Sequence, residues 1–208
     1  MTVETWAAFA AASAILLVIP GPTILLVVSY ALGQGWRTAL PTAIGVALGD
    51  FTAMTMSVVG LGAVLASSAL LFTALKWCGA AYLVWLGIRL WRAGGRLDAP
   101  PRTERSTAIR MIGHAWLVTA LNPKSLVFFV AFLPQFLDPR ADFVTQVAVF
   151  EVTFLVLAFA NALTYALVAS RARALFRSPA AIGILNKVGG TLLVGAGVAT
   201  VSLRSAQS

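Results

Sequence analysis

Residues suited to metal chemistry are scarce. Among 208 residues there is one cysteine, Cys78, and one histidine, His114. That rules out a disulfide framework and a multi-cysteine metal site. No Ser/His/Asp or Cys/His constellation, P-loop or zinc spacing occurs. The gap counts against an enzyme and against ATP-driven pumping by this chain alone, and no metal or cofactor is implied. Basic residues are missing from the beginning of the chain, the first being Arg37. A secretory signal needs a positive n-region, so the first apolar stretch is expected to stay in the mature protein. Charge of either sign is sparse, at 11% of residues against 60% hydrophobic. That balance is far too apolar for a soluble domain of this size and fits a membrane class.

What is abundant is long apolar sequence. A spanning helix needs about 20 mainly apolar residues. Six such stretches can be drawn, at about 6–32, 38–66, 69–91, 111–137, 143–169 and 181–203. Nothing is left for a soluble domain, so residues 1–208 read as one polytopic, all-α membrane domain. The segments are continuous rather than alternating, which argues against a transmembrane barrel.

The net charge of +8 raises the question of a nucleic-acid partner, but its placement argues otherwise. Arg37, Arg89, Arg92, Arg96, Arg102, Arg105, Arg110, Arg171, Arg173 and Arg177 all fall on one side of a six-helix arrangement. Lys76, Arg140 and Arg204 fall on the other. Cytoplasmic loops carry the Lys/Arg excess. The ten-arginine side, including the 92–110 linker, is therefore expected to be cytoplasmic, with both termini outside and no role in nucleic-acid binding.

The two halves of the chain match. At a shift of 101 residues, Leu16, Pro22, Leu25, Leu32 and Gln34 meet Leu117, Pro123, Leu126, Leu133 and Gln135. Asp50 meets Glu151 at the same shift. The third stretch matches the sixth at a shift of 110, where Leu75, Gly79, Leu83, Val84 and Gly87 meet Leu185, Gly189, Leu193, Val194 and Gly197. Three helices per half is an odd number, so the second half must enter the membrane from the opposite side. The expectation is an inverted repeat, about 6–91 and 111–203, as in many secondary transporters. Chance matching of Leu and Val is cheap; the aligned prolines, glycines and acids are harder to obtain that way.

The repeat gives a reason for "NPK" at 122–124 inside an apolar stretch. Pro123 lies opposite Pro22 of "IPGPT", so the first and fourth helices are expected to break at Pro20, Gly21 and Pro22 and at Pro123. Paired interruptions point to a transporter's central site, because irregular backbone at membrane depth must line a cavity or be buried in protein. The start of a half-helix attracts an anion such as a carboxylate, and Lys124 beside it offers a full charge. Asn122 belongs to the same break. Asp50, in the middle of its helix, and Glu151 can relay protons or bind a substrate ammonium. Asn161 and Lys187 complete the candidates. For each, a structural role competes: an ion pair for Lys124 and the acids, an interhelical bond for Asn161, and snorkelling to the cytoplasmic surface for Lys187. His114 reads as an interfacial polar residue, Trp91 as part of an interfacial belt, and Trp77 and Trp85 as packing. Gly79, Gly87, Gly189, Gly190 and Gly197 read as close-contact positions.

"PGPTILLVVSYALGQGWRTALPTAIGVALGD", "GAAYLVWLGIRLWR" and "ALNPKSLVFFVAFLPQF" resemble the LysE/RhtB family of bacterial amino-acid exporters over nearly the whole chain. The resemblance implies efflux of amino acids or close derivatives from the bacterial cytoplasmic membrane, driven by the proton gradient. It puts Pro20, Gly21, Pro22 and Asp50 in one motif and Asn122, Pro123, Lys124, Pro134 and Gln135 in another. The residues themselves reach only an inverted-repeat secondary transporter. A carrier of another solute, such as a cation or a lactone, is the first alternative, and a membrane scaffold or enzyme the second. A homodimer is compatible with so small a transporter but not established by the sequence.

Overall fold

The computed structural model describes residues 1–67, 106–138 and 140–171, with scattered residues between 74 and 92 and between 180 and 198. Among these, every regular element is helical. Helix α1, Val3–Val18, opens on Thr2, whose Oγ1 accepts from the Thr5 N–H at 3.2 Å. It stops at Ile19, where the backbone turns extended, because Pro20 disfavours helical geometry in the residue before it. Helix α2, Pro22–Gln34, begins with its own proline, a position where the missing N–H is not needed. It ends at Gly35, whose φ of 82° suits glycine and strains other residues. A 3₁₀ turn, Trp36–Thr38, leads into α3, Ala39–Ser67.

The second half starts in the same way. Helix α4, Ala108–Ala120, is capped by Thr107. After a break at Leu121 and Asn122 comes α5, Pro123–Ala131, then a 3₁₀ turn at Leu133–Gln135. Helix α6, Phe143–Arg171, is opened by Asp142, whose Oδ2 accepts from the Thr145 N–H at 2.7 Å. The Thr145 side chain and backbone hold this exposed carboxyl below its usual range.

Two helical segments are long and apolar enough to cross a membrane: Trp36–Gly60, which joins the 3₁₀ turn to most of α3, and α6. The pairs α1/α2 and α4/α5 reach that length together, bent by 54° and 48°. The described residues therefore hold two to four spans. Stretches 69–91 and 181–203 lie for the most part outside the described residues, as do the 93–105 loop, Gly79, Gly87, Gly189 and Gly197.

Helix α3 packs on α4, α5 and α6, while α6 packs on α1, α2 and α3. The two long helices build their contacts differently. A Cβ at Gly45 would lie 2.5 Å from the Ile112 carbonyl oxygen, and one at Gly49 would lie 2.5 Å from the Thr119 Cβ. Only glycines let α3 come this close to α4, the small-residue contact common in membranes. On the other side, α6 presents rings: Phe150 stands 4.5 Å from Phe9 of α1, and Phe154 stands 4.8 Å from Phe129 of α5. Leu40, Leu48, Phe51, Val144, Val152 and Val156 point outward, as side chains facing hydrocarbon do. Trp77 and Trp85, expected in the packing, are instead about half exposed, at 55% and 51%.

Candidate functional site around the two helix breaks

A helix that ends at membrane depth leaves its last carbonyls without partners, and each open group costs several kcal/mol there. At the end of α1 four successive carbonyls are met by side chains from the second half. Lys124 Nζ donates to the oxygens of Leu16 at 3.0 Å and Ile19 at 2.7 Å. Asn161 Nδ2 donates to Leu17 O at 3.0 Å, and the Tyr165 hydroxyl to Val18 O at 2.7 Å. Pro123 places Lys124 in the first turn of α5, and its stem runs past Gly21, where a Cβ would sit 3.5 Å from Cε. A lysine at a helix carboxyl end is electrostatically favourable. Lys124, expected as an anchor for an anion, is thus engaged by the first break.

The second break is closed by neutral groups. Asn122 caps α5, its Oδ1 accepting from the Lys124 backbone N–H at 3.1 Å. Its Nδ2 donates to Thr23 Oγ1 at 3.0 Å, and Thr119 Oγ1 donates to the same oxygen at 3.2 Å. Thr23, Thr119, Asn122, Lys124, Ser125 and Asp50 are all buried.

Asp50 follows Gly49, and the Gly49 contact with Trp116, Thr119 and Ala120 brings this part of α3 against the end of α4. Ser125 lies beside the Asp50 carboxyl, and Lys124 is the opposite charge acting on it. Its Oδ1 has no hydrogen-bond partner. A buried polar oxygen without a partner is costly, so the position suits a group that arrives and leaves, such as a proton or a cation.

The remaining candidates lie elsewhere. Glu151, half-buried, accepts from the Thr55 hydroxyl at 2.8 Å and ties α6 to α3. Lys187 is exposed, with Nζ 5.8 Å from the centre of the Trp91 ring, and does not reach the breaks. Pro20 is buried and Pro22 exposed, and both flank the break with Gly21. His114 Nδ1 meets the Tyr30 hydroxyl at 3.0 Å. No group of three or more His, Cys, Asp or Glu placed to hold a metal occurs among the described residues. Sequence reasoning missed Thr23, Thr119, Ser125, Tyr165, Gly45 and Gly49. Three signals were available: Thr23 lies opposite Lys124 at the 101 shift, Tyr165 follows Asn161 by one helical turn, and Gly45 and Gly49 form a G-x-x-x-G pair.

The family description "LysE type translocator" matches residues 14–203. The chain belongs to the LysE type translocator family. Its similarity to one named efflux protein runs the full length. It is 34% identical over 206 residues to a homoserine/homoserine lactone efflux protein of Salmonella typhimurium, covering 99% of this chain and 100% of that one. It is 34% identical over 198 residues to an uncharacterized membrane protein of Vibrio cholerae, covering 95% and 97%. A leucine efflux protein of Enterobacter sp. is 29% identical over 127 residues, 61% of this chain and 60% of that one. No solved structure matches. As a LysE type translocator the protein is a multi-pass transporter of the bacterial inner membrane, not an enzyme, and it handles a small molecule within the lipid bilayer.

Proposed function

We propose that this translocator exports amino acids or close derivatives by exchange for protons, with Asp50 as the coupling carboxylate. The observation that carries the reading is the buried, unpartnered Oδ1 of Asp50 between the two helix breaks. A carboxyl at such a place holds either a proton or the substrate's ammonium. Alternating between the two couples export to proton entry. Glu151, already bonded to Thr55, takes a lesser part. The names of the relatives, which include leucine and homoserine lactone efflux, favour this substrate class. The same names keep a lactone carrier as the second reading.

The proposal includes six spans in two inverted three-helix repeats, with the ten-arginine side cytoplasmic. The paired bends support it, as do the packing partners. Exchanging α1, α2 and α3 for α4, α5 and α6 turns the α3–α4 contact into α6–α1 and the α2–α6 contact into α5–α3. Superposing residues 6–91 on 111–203 in an experimental structure tests the repeat, and unrelated helix paths would reject it. Labelling cysteines placed in the 93–108 loop from outside intact cells tests orientation, and efficient labelling there would reverse it. For mechanism, Asp50→Asn keeps the shape but removes charge and titration. Gradient-driven efflux of loaded amino acids should disappear while membrane insertion persists. Normal, pH-dependent efflux by that variant would leave Asp50 a purely structural group.

A further inference from the structure

Lys187 has no part in the site at the breaks, yet it is not isolated. A cleft of about 380 Å³ is lined by Ile88 and Trp91 of the third stretch, by Arg92 at the start of the linker, and by Gly190, Thr191 and Val194 of the sixth stretch. Lys187, not itself in the lining, holds its Nζ 5.8 Å from the centre of the Trp91 ring that is. The lining has a direction. Arg92, Trp91 and Lys187 lie toward the ends of the two stretches that face the arginine-rich loops, whereas Ile88 and Val194 lie deeper along them. Ile88, Trp91, Arg92 and Lys187 are exposed and Gly190 is buried, so the cleft opens outward from a backbone floor.

We propose that this cleft holds one acyl chain of an anionic phospholipid, with its phosphate bound by Arg92 and Lys187. Three features select that occupant. On the six-span reading the cleft lies on two membrane-crossing stretches, where the apolar neighbour is a lipid chain. Its apolar part cannot discriminate among lipids, because lipid tails are as apolar as the lining. The choice therefore falls to the rim, where two cations flank a tryptophan at the level where headgroups meet hydrocarbon. Basic pockets between spans on the cytoplasmic side bind phosphate headgroups. The inference rests on the six-span reading with the ten-arginine side cytoplasmic, not on the transport mechanism or the substrate.

The test is native mass spectrometry of the full chain in detergent with phosphatidylglycerol, cardiolipin or phosphatidylcholine. The anionic lipids should be retained and phosphatidylcholine lost. Removing charge by Arg92→Gln and Lys187→Gln should lower retention about fivefold per cation, while Arg140→Gln should have no effect. Phosphatidylglycerol brominated on its chains should quench wild-type fluorescence more than that of Trp91→Phe, a check that stands even if the double variant fails to fold. Equal retention of phosphatidylcholine, full retention by the double variant, or quenching that ignores Trp91 would overturn the proposal. Displacement of the lipid by millimolar inorganic phosphate would also overturn it, by assigning the rim to a free anion.

Discussion

The two helix breaks begin from the same chemistry, a proline at the first position of the following half-helix, and are closed by different means. At the end of α1 one backbone bond, Ile19 N–H to Leu16 O at 3.2 Å, is joined by side chains from α5 and α6 on the carbonyls of residues 16–19. At the end of α4 the carbonyls of Leu117 and Thr119 accept from the backbone N–H groups of Leu121 and Asn122, at 3.1 and 3.0 Å. There the hydrogen bonds that cross between halves through Thr23 are neutral. The residue after each proline reaches the opposite break in both cases, Lys124 to the first and Thr23 to the second. The difference teaches that a matched sequence pattern fixes where a helix breaks, whereas the side chain one position later decides how firmly the other half holds it.

The largest expected effect comes from removing that hold. Lys124→Met leaves the Ile19 carbonyl open and the Leu16 carbonyl with the Ile19 N–H alone, and an open buried acceptor costs about 1–3 kcal/mol. Purified protein should melt well below wild type, and efflux should fall far more than in Thr23→Val. Equal losses would erase the contrast between the breaks. Next is Gly49→Ala, whose added methyl must push α3 from α4, at about 1–3 kcal/mol. It should also displace Asp50 and depress efflux, whereas Gly60→Ala, with nothing within 4 Å of the new carbon, should behave as wild type. Asn122→Ala removes the cap of α5 and the bond to Thr23, for about 1 kcal/mol. Tyr165→Phe, losing one interhelical bond, should cost only about 0.6 kcal/mol, read as a small shift in melting midpoint.

Much of this was legible in the sequence. Pro22 and Pro123 announced the breaks, because proline's missing donor acts locally and needs no tertiary context. Asp50 and Lys124 announced a buried polar cluster, because ionisable groups in apolar stretches have few places to go. Bond partners were not legible. Lys124 offers its charge equally well to an anion or to carbonyls, and only the crossing of α5 over the end of α1 decides between them. Glu151 and Lys187 had suitable depth or symmetry but take other partners, Thr55 and Trp91. Gly45 and Gly49 were passed over because they blend into an apolar run, their meaning appearing only when Ile112 and Thr119 lie against them.

The hold on α1 also has a consequence for biosynthesis. Its carbonyls wait for residues that the ribosome makes much later, Tyr165 following Val18 by 147 positions. At 5–20 residues per second, that delay is on the order of ten seconds. Throughout it the first half sits in the translocon or the bilayer with an unfinished helix end, so a chain truncated after residue 110 should be recognised by quality-control proteases as incomplete. The second half, supplied as a separate polypeptide in the same cell, should rescue it.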